Sequence, residues 1–99
     1  MSTEISSTDL KWVFRLYVAG LSANSTRAIG NLYDICRIYV NGQFDVEIVD
    51  VLENPLRPFQ DSVIATPMLI KLSPPPEIHL LGTLDDRDKV LRSLGIKVH

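Results

Sequence analysis

The segment Gly20-Leu21-Ser22-Ala23-Asn24-Ser25-Thr26-Arg27 joins an alternating apolar stretch to one with helical spacing. A helix start is where a thiolate is best stabilised, because the dipole and the free backbone amides favour negative charge. The residues here are hydroxyls (Ser22, Ser25), an amide (Asn24) and a guanidinium (Arg27), with no cysteine between residues 18 and 32. The one cysteine, Cys36, falls on the apolar side of the following helix about three turns in, so it reads as core packing. His79 stands alone between Ile78 and Leu80, and His99 is terminal; neither has a second ligand at metal spacing. Asp85-Asp86-Arg87-Asp88-Lys89 reads as a capped, solvated helix start. These residues suit hydrogen bonding and ion pairing with a partner. They supply neither a thiol pair nor a metal centre, and nothing among them asks for a cofactor.

The elements that must position them follow from periodicity. Residues 12–18 alternate strictly: Trp12, Phe14, Leu16 and Val18 share one face, and Val13, Arg15 and Tyr17 the other. Both faces are largely apolar, so this is an interior strand. Residues 24–40 switch to helical spacing, with Ala28, Leu32 and Cys36 on one side, Ser22 or Asn24 as cap and Asn41-Gly42 as stop. Gly30 within that helix is expected at a close packing contact. Residues 44–52 alternate again, which completes a β-α-β unit with parallel strands. Asn54-Pro55 predicts a short helix bearing Leu56, Phe59 and Val63 on one face, broken at Ala65-Thr66-Pro67. Met68 to Leu72 and Glu77 to Leu81 read as strands joined by a stiff extended connector, Ser73-Pro74-Pro75-Pro76. Asp85 is expected to cap a last helix that Gly95 ends.

The order β-α-β-α-β-β-α fits one α/β domain with a four-stranded mixed sheet and helices on both faces. It resembles the thioredoxin-like order, with Thr66-Pro67 where that fold usually has a cis-proline. A narrower resemblance rests on "LYVAG" (16–20), "NSTRAI" (24–29), "VEIVDVLENP" (46–55), "ATPMLIKLSPPP" (65–76) and "LGTLDDRDKVLRSLGI" (81–96). Together these are similar to the KaiB family, and the similarity covers residues 12–96.

That resemblance implies a non-catalytic partner of the hexameric ATPase KaiC in a circadian clock or clock-derived system. It implies a partner surface holding Asn24, Ser25, Arg27, Asn41, Asp45 and Lys71, with Arg27 pairing to carboxylates. It also implies two arrangements of the chain. One is thioredoxin-like and binds the ATPase; the other is a β-α-β-β-α-α-β ground state, often tetrameric, in which residues 53–99 rearrange. Pro67, Gly82 and Asp85 are the expected structural and switch positions. Family members commonly continue beyond the point where this chain reads Lys97-Val98-His99, so the thioredoxin-like arrangement is the one expected here. The sensor domain of the SasA kinase shares this fold and partner class.

Two other readings compete. One is a constitutively thioredoxin-like stress adaptor. The other is a glutathione or small-ligand site at Thr66-Pro67 and Gly82–Asp86, with Ser22 in place of the thiol. Composition narrows the classes further. The chain has 99 residues, 45% hydrophobic and 22% charged, which fits one domain with one modest core. A net charge of −2 argues against nucleic-acid binding by bulk charge, and no apolar run is long enough to span a membrane. Residues 1–10 are polar and acidic and read as a disordered leader before a domain over 11–99, with a cytoplasmic location expected.

Overall fold

A computed structural model describes residues 11–40 and 43–98. The expected leader, the Asn41-Gly42 stop and His99 lie outside these. Seven elements follow in order: β1 (Trp12–Val18), α1 (Ala23–Tyr39), β2 (Phe44–Asp50), α2 (Arg57–Gln60), β3 (Met68–Ser73), β4 (Ile78–Leu81) and α3 (Arg87–Leu94). The sheet order is β2-β1-β3-β4. β1 is therefore interior, parallel to β2 and antiparallel to β3, while β4 adds antiparallel to β3 at the far edge. This is the thioredoxin-like arrangement; the second arrangement is not the one adopted here.

The alternation of β1 divides the core in two. Phe14, Leu16 and Val18 pack with Leu32, Ile35 and Cys36 of α1, Leu69 of β3 and Val90, Leu91 and Leu94 of α3. The opposite face carries a smaller cluster, Tyr17, Val49, Met68 and Ile70, with Val51, Val63 and Leu72 partly buried against it. A fully buried Leu or Phe contributes about 1.5–3 kcal/mol, so the first cluster dominates stability.

Four local expectations are corrected. β2 stops at Asp50 because that carboxylate accepts from the amides of Gly20 (3.0 Å) and Leu52 (2.9 Å), which turns the chain. The amide of Asn54 then donates to the Asp50 carbonyl (2.9 Å), so Asn54 closes this turn and does not cap a helix. α2 begins only at Arg57, spans four residues and buries no side chain; Leu56 and Phe59 are 74% and 80% exposed. The proline-rich connector is a reversal, not an extended link, because β3 and β4 are antiparallel neighbours paired up to Lys71 and Ile78. The Thr66–Pro67, Ser73–Pro74 and Pro75–Pro76 peptides are cis. Asp86, not Asp85, caps α3, its carboxylate accepting from the Lys89 amide (3.2 Å). Gly95 ends that helix at φ 75°, a left-handed conformation that glycine adopts without a Cβ clash.

Candidate partner surface

The start of α1 is built around two serines. Ser22 accepts from the Ser25 amide (3.2 Å) and its hydroxyl donates to Ser25 Oγ (2.8 Å). Ser25 Oγ also accepts from the Ala19 amide (3.0 Å), which ties the end of β1 to the first turn of α1. Ser25 is 1% exposed, so its expected role as a partner contact is corrected: it is a buried hinge pin of the strand–helix junction. Ser22 is likewise committed to the cap. Asn24 and Arg27 are left facing solvent.

Arg27 Nη2 donates to Asp85 Oδ2 (2.6 Å), across from α1 to the loop before α3. Asp85 also accepts from Thr83 Oγ1 (2.6 Å) and from Asn31 Nδ2 (2.9 Å). Thr83 first, then Asn31 and Arg27, hold this carboxyl below the usual range. Gly82, at φ 107°, donates its amide to the Pro67 carbonyl (2.9 Å). Pro67, Gly82 and Asp85 thus meet at one end of the molecule, where the strand-to-loop turns gather.

The remaining expected contacts do not join them. Lys71 is 3% exposed, its Nζ donating to the Leu94 carbonyl (3.0 Å) and lying 5.3 Å from the Trp12 ring centroid. It is therefore corrected from a surface contact to an internal brace on the C-terminal end of α3; burial alone lowers its pKa. Asp45 is exposed and pairs with Lys11 (2.7 Å), but it sits opposite Val13, near the start of the parallel pair β1–β2. The α1 start lies at the other end, five strand positions or roughly 16 Å away. Asn41 lies outside the described residues.

A second polar group lies on the sheet face away from α1. Arg15 Nε donates to Glu47 Oε1 (2.7 Å) across the β1–β2 pair. Glu47 also receives Arg57 in a two-bond fork, Nη1 to Oε2 (2.7 Å) and Nη2 to Oε1 (3.1 Å). Arg15 Nη1 donates to Asp61 Oδ2 (2.9 Å), and the Tyr17 hydroxyl donates to that same oxygen. Arg57 and then Arg15 hold the Glu47 carboxyl down to about 2. Burial pushes Asp61 up, but Tyr17 and Arg15 outweigh it and the net shift is downward. Sequence alternation places Arg15 and Tyr17 together, but not Arg57 and Asp61, which complete the group. The spacing of Arg57 and Asp61, four apart with opposite charge, points instead to a pair with each other, which does not form; each meets a residue of the sheet.

Apolar side chains are exposed beside these groups: Leu21 (96%), Leu52 (71%), Leu56, Phe59 and Ile64 (82%). A cleft of about 560 Å³ lies between β4 and α3, lined among others by His79, Leu80, Leu84, Lys89, Val90 and Ser93. Cys36 is fully buried, and burial pushes its thiol up to about 12. Among the described residues no three His, Cys, Asp or Glu side chains group as metal ligands, and no helix is long and apolar enough to cross a membrane. What the arrangement can do is bind through an exposed cation, exposed apolar side chains and the β2 edge, which carries no further strand among the described residues.

Comparison with known proteins fits this geometry. Among solved structures, the N-terminal domain of SasA from Synechococcus elongatus superposes with a TM-score of 0.71 at 17% identity, covering 96% of this chain and 93% of that one. The Drosophila germline thioredoxin Deadhead gives 0.67 at 16% identity, over 90% and 83%. At these identities the likeness concerns the fold. In sequence, the chain is 44% identical over 84 residues to the circadian clock protein KaiB3 of Synechocystis, covering 85% of this chain and 82% of that protein. It is 41% identical over 85 residues to the circadian clock oscillator protein KaiB of Trichodesmium erythraeum, over 86% and 82%. The KaiB domain profile matches residues 15–96, and with this span and these identities the chain belongs to the KaiB family.

Proposed function

We propose that this chain is a clock-related regulatory protein, acting by binding and not by catalysis, and that its partner is a KaiC-type hexameric ATPase in the cytoplasm. The observation that carries this reading is the 44% identity to a circadian clock KaiB3 over most of both chains. The geometry supports it at three points. The strand–helix junction has no thiol, and Ser22 is committed to the helix cap. Arg27 and Asn24 face solvent at the start of α1. β2 is a seven-residue strand at the sheet edge, with no strand on its outer side among the described residues. In the complex, Arg27 keeps its Nη2 bond to Asp85 and offers its remaining N–H donors to a carboxylate of the partner. Conversion of residues 53–99 from a second arrangement, where it operates, delays binding; self-association as a dimer or tetramer belongs to that second arrangement.

The test is co-elution by size exclusion with the KaiC-type ATPase of the same organism plus ATP, sampled over hours. A chain already in the thioredoxin-like arrangement is expected to form the complex at once; slow growth keeps the partner and shows that a second arrangement must first convert. Arg27→Ala is expected to weaken the complex about fivefold, as for loss of an exposed ion pair of about 1 kcal/mol. Absence of a complex at micromolar concentrations overturns the reading and points to the stress-adaptor or small-ligand readings, with glutathione the next titrant.

A further inference from the structure

Residues 51–66 cross the sheet face opposite α1 and α3, yet they hold on to it in an unusual way. Their one helix, α2, buries nothing, and Leu52, Leu56, Phe59 and Ile64 all point away from the sheet. Only Val51 and Val63 of this segment pack against the Tyr17, Val49, Met68 and Ile70 cluster. The backbone hydrogen bonds within it are local: Arg57 amide to Asn54 carbonyl (3.3 Å), Ser62 to Phe59 (3.4 Å) and Val63 to Pro58 (2.8 Å). The bonds that reach the sheet backbone, from the Val51 amide to the Val18 carbonyl (2.9 Å) and from the Glu53 and Asn54 amides to the Asp50 carbonyl (3.1 and 2.9 Å), lie at the very start, as a hinge would. What spans the middle is charge. Arg57 forks onto Glu47, while Asp61 receives Arg15 and Tyr17. The Tyr17 hydroxyl also lies 3.3 Å from the Arg57 carbonyl.

We propose that residues 51–66 form a strap latched to the sheet by these ionic groups, and that the strap opens as a unit while the sheet, α1 and α3 remain folded. Segments with few buried apolar contacts have low local opening free energies, whereas the strands beneath open only with the whole domain. The latch has two unequal halves. The Arg15–Asp61 pair is the more enclosed, with side chains 24% and 22% exposed, and it resists salt. The Glu47–Arg57 pair, at 46% and 33%, is the more open and is screened first. Opening uncovers Tyr17, Val49, Met68 and Ile70 together. The proposal concerns the chain alone and stands whether or not the ATPase is its partner.

Amide hydrogen exchange on the full chain tests it. In the intact protein, the Val63 amide is expected to exchange at least 100-fold faster than the Leu16 and Leu69 amides. Asp61→Asn and Glu47→Gln, made singly, are expected to speed Val63 exchange about tenfold and fivefold; Leu16 and Leu69, which open with the whole domain, speed by no more than the same factor, so the gap of at least 100-fold persists. Raising sodium chloride from about 0.05 to about 1 M should speed Val63 severalfold in the unaltered chain, a measurement that needs no variant to fold. Equal rates at Val63 and Leu16 moving together in variants and in salt overturn the independent strap. A fast Val63 that ignores both variants and salt overturns the ionic latch.

Discussion

At Glu47 two guanidinium groups meet one carboxylate, and that fixes how the group answers acid. Its folded pKa, about 2, lies below the value of roughly 4.3 for a free glutamate. Between those values the unfolded chain binds more protons than the folded one. The stabilisation from Glu47 is therefore complete above about pH 4.5 and is lost as pH falls through its folded pKa. Because the side chain is 46% exposed, solvent screens the pairing and its worth is about 1 kcal/mol or less. Carboxyl carbon shifts followed against pH should place the Glu47 midpoint near 2, and Arg57→Ala should move it toward 4. A midpoint near 4 in the unaltered chain would mean that the fork does not form. Residues such as this were only half legible. Alternation puts Arg15 and Tyr17 on one face and Glu47 outward, but which charges they meet depends on a turn started by the Asp50 carboxylate. Lys71 misled for a related reason. A charged side chain reads as surface, yet its long stem lets it lie in an apolar strand with its ammonium on a helix-end carbonyl. Ser25 could serve as surface hydroxyl or internal pin, and periodicity does not separate the two.

Elements with a strong period were legible and those governed by single hydrogen bonds were not. β1, α1 and β3 lie where alternation and helical spacing put them, within a residue or so of their expected ends. α2 does not, because Asn54, Pro55 and Pro58 carry cap and start signals that conflict within five positions. Within α1, the buried set Ser25, Ala28, Leu32, Ile35 and Cys36 fixes one face, and Gly30 lies off it. A Cβ added at Gly30 would meet nothing within 4 Å, so the expected close contact is absent. Gly30→Ala should therefore stabilise the protein by about 0.5–1 kcal/mol through helix propensity and reduced freedom of the unfolded chain. The urea midpoint measures this; a lowered midpoint would show that the helix needs its glycine.

For the whole molecule, the order of elements was enough to set the sheet. A β-α-β unit followed by an antiparallel pair leaves β1 as the strand that joins both halves, and the order β2-β1-β3-β4 is the result. The expected partner surface was not legible at this scale. Its residues were drawn from stretches close in pattern but placed at opposite ends of the parallel strands, with two of them inside. The sheet also separates two bodies of apolar packing, one thick and one thin, and they answer to different forces: burial on the α1 side, charge on the strap side.

The lone thiol sits in the thick one. Cys36 is fully enclosed and its proton is held to about pH 12, so an alkylating reagent at neutral pH reaches no thiolate until that side of the molecule comes apart. Native labelling of this chain is thus a one-channel reporter: the rate at which iodoacetamide adds to Cys36 should rise together with global unfolding in urea titrations. Asp61→Asn should raise it by no more than the loss of global stability read from the same urea titration. Acceleration beyond that loss would show the two faces of the sheet opening as one.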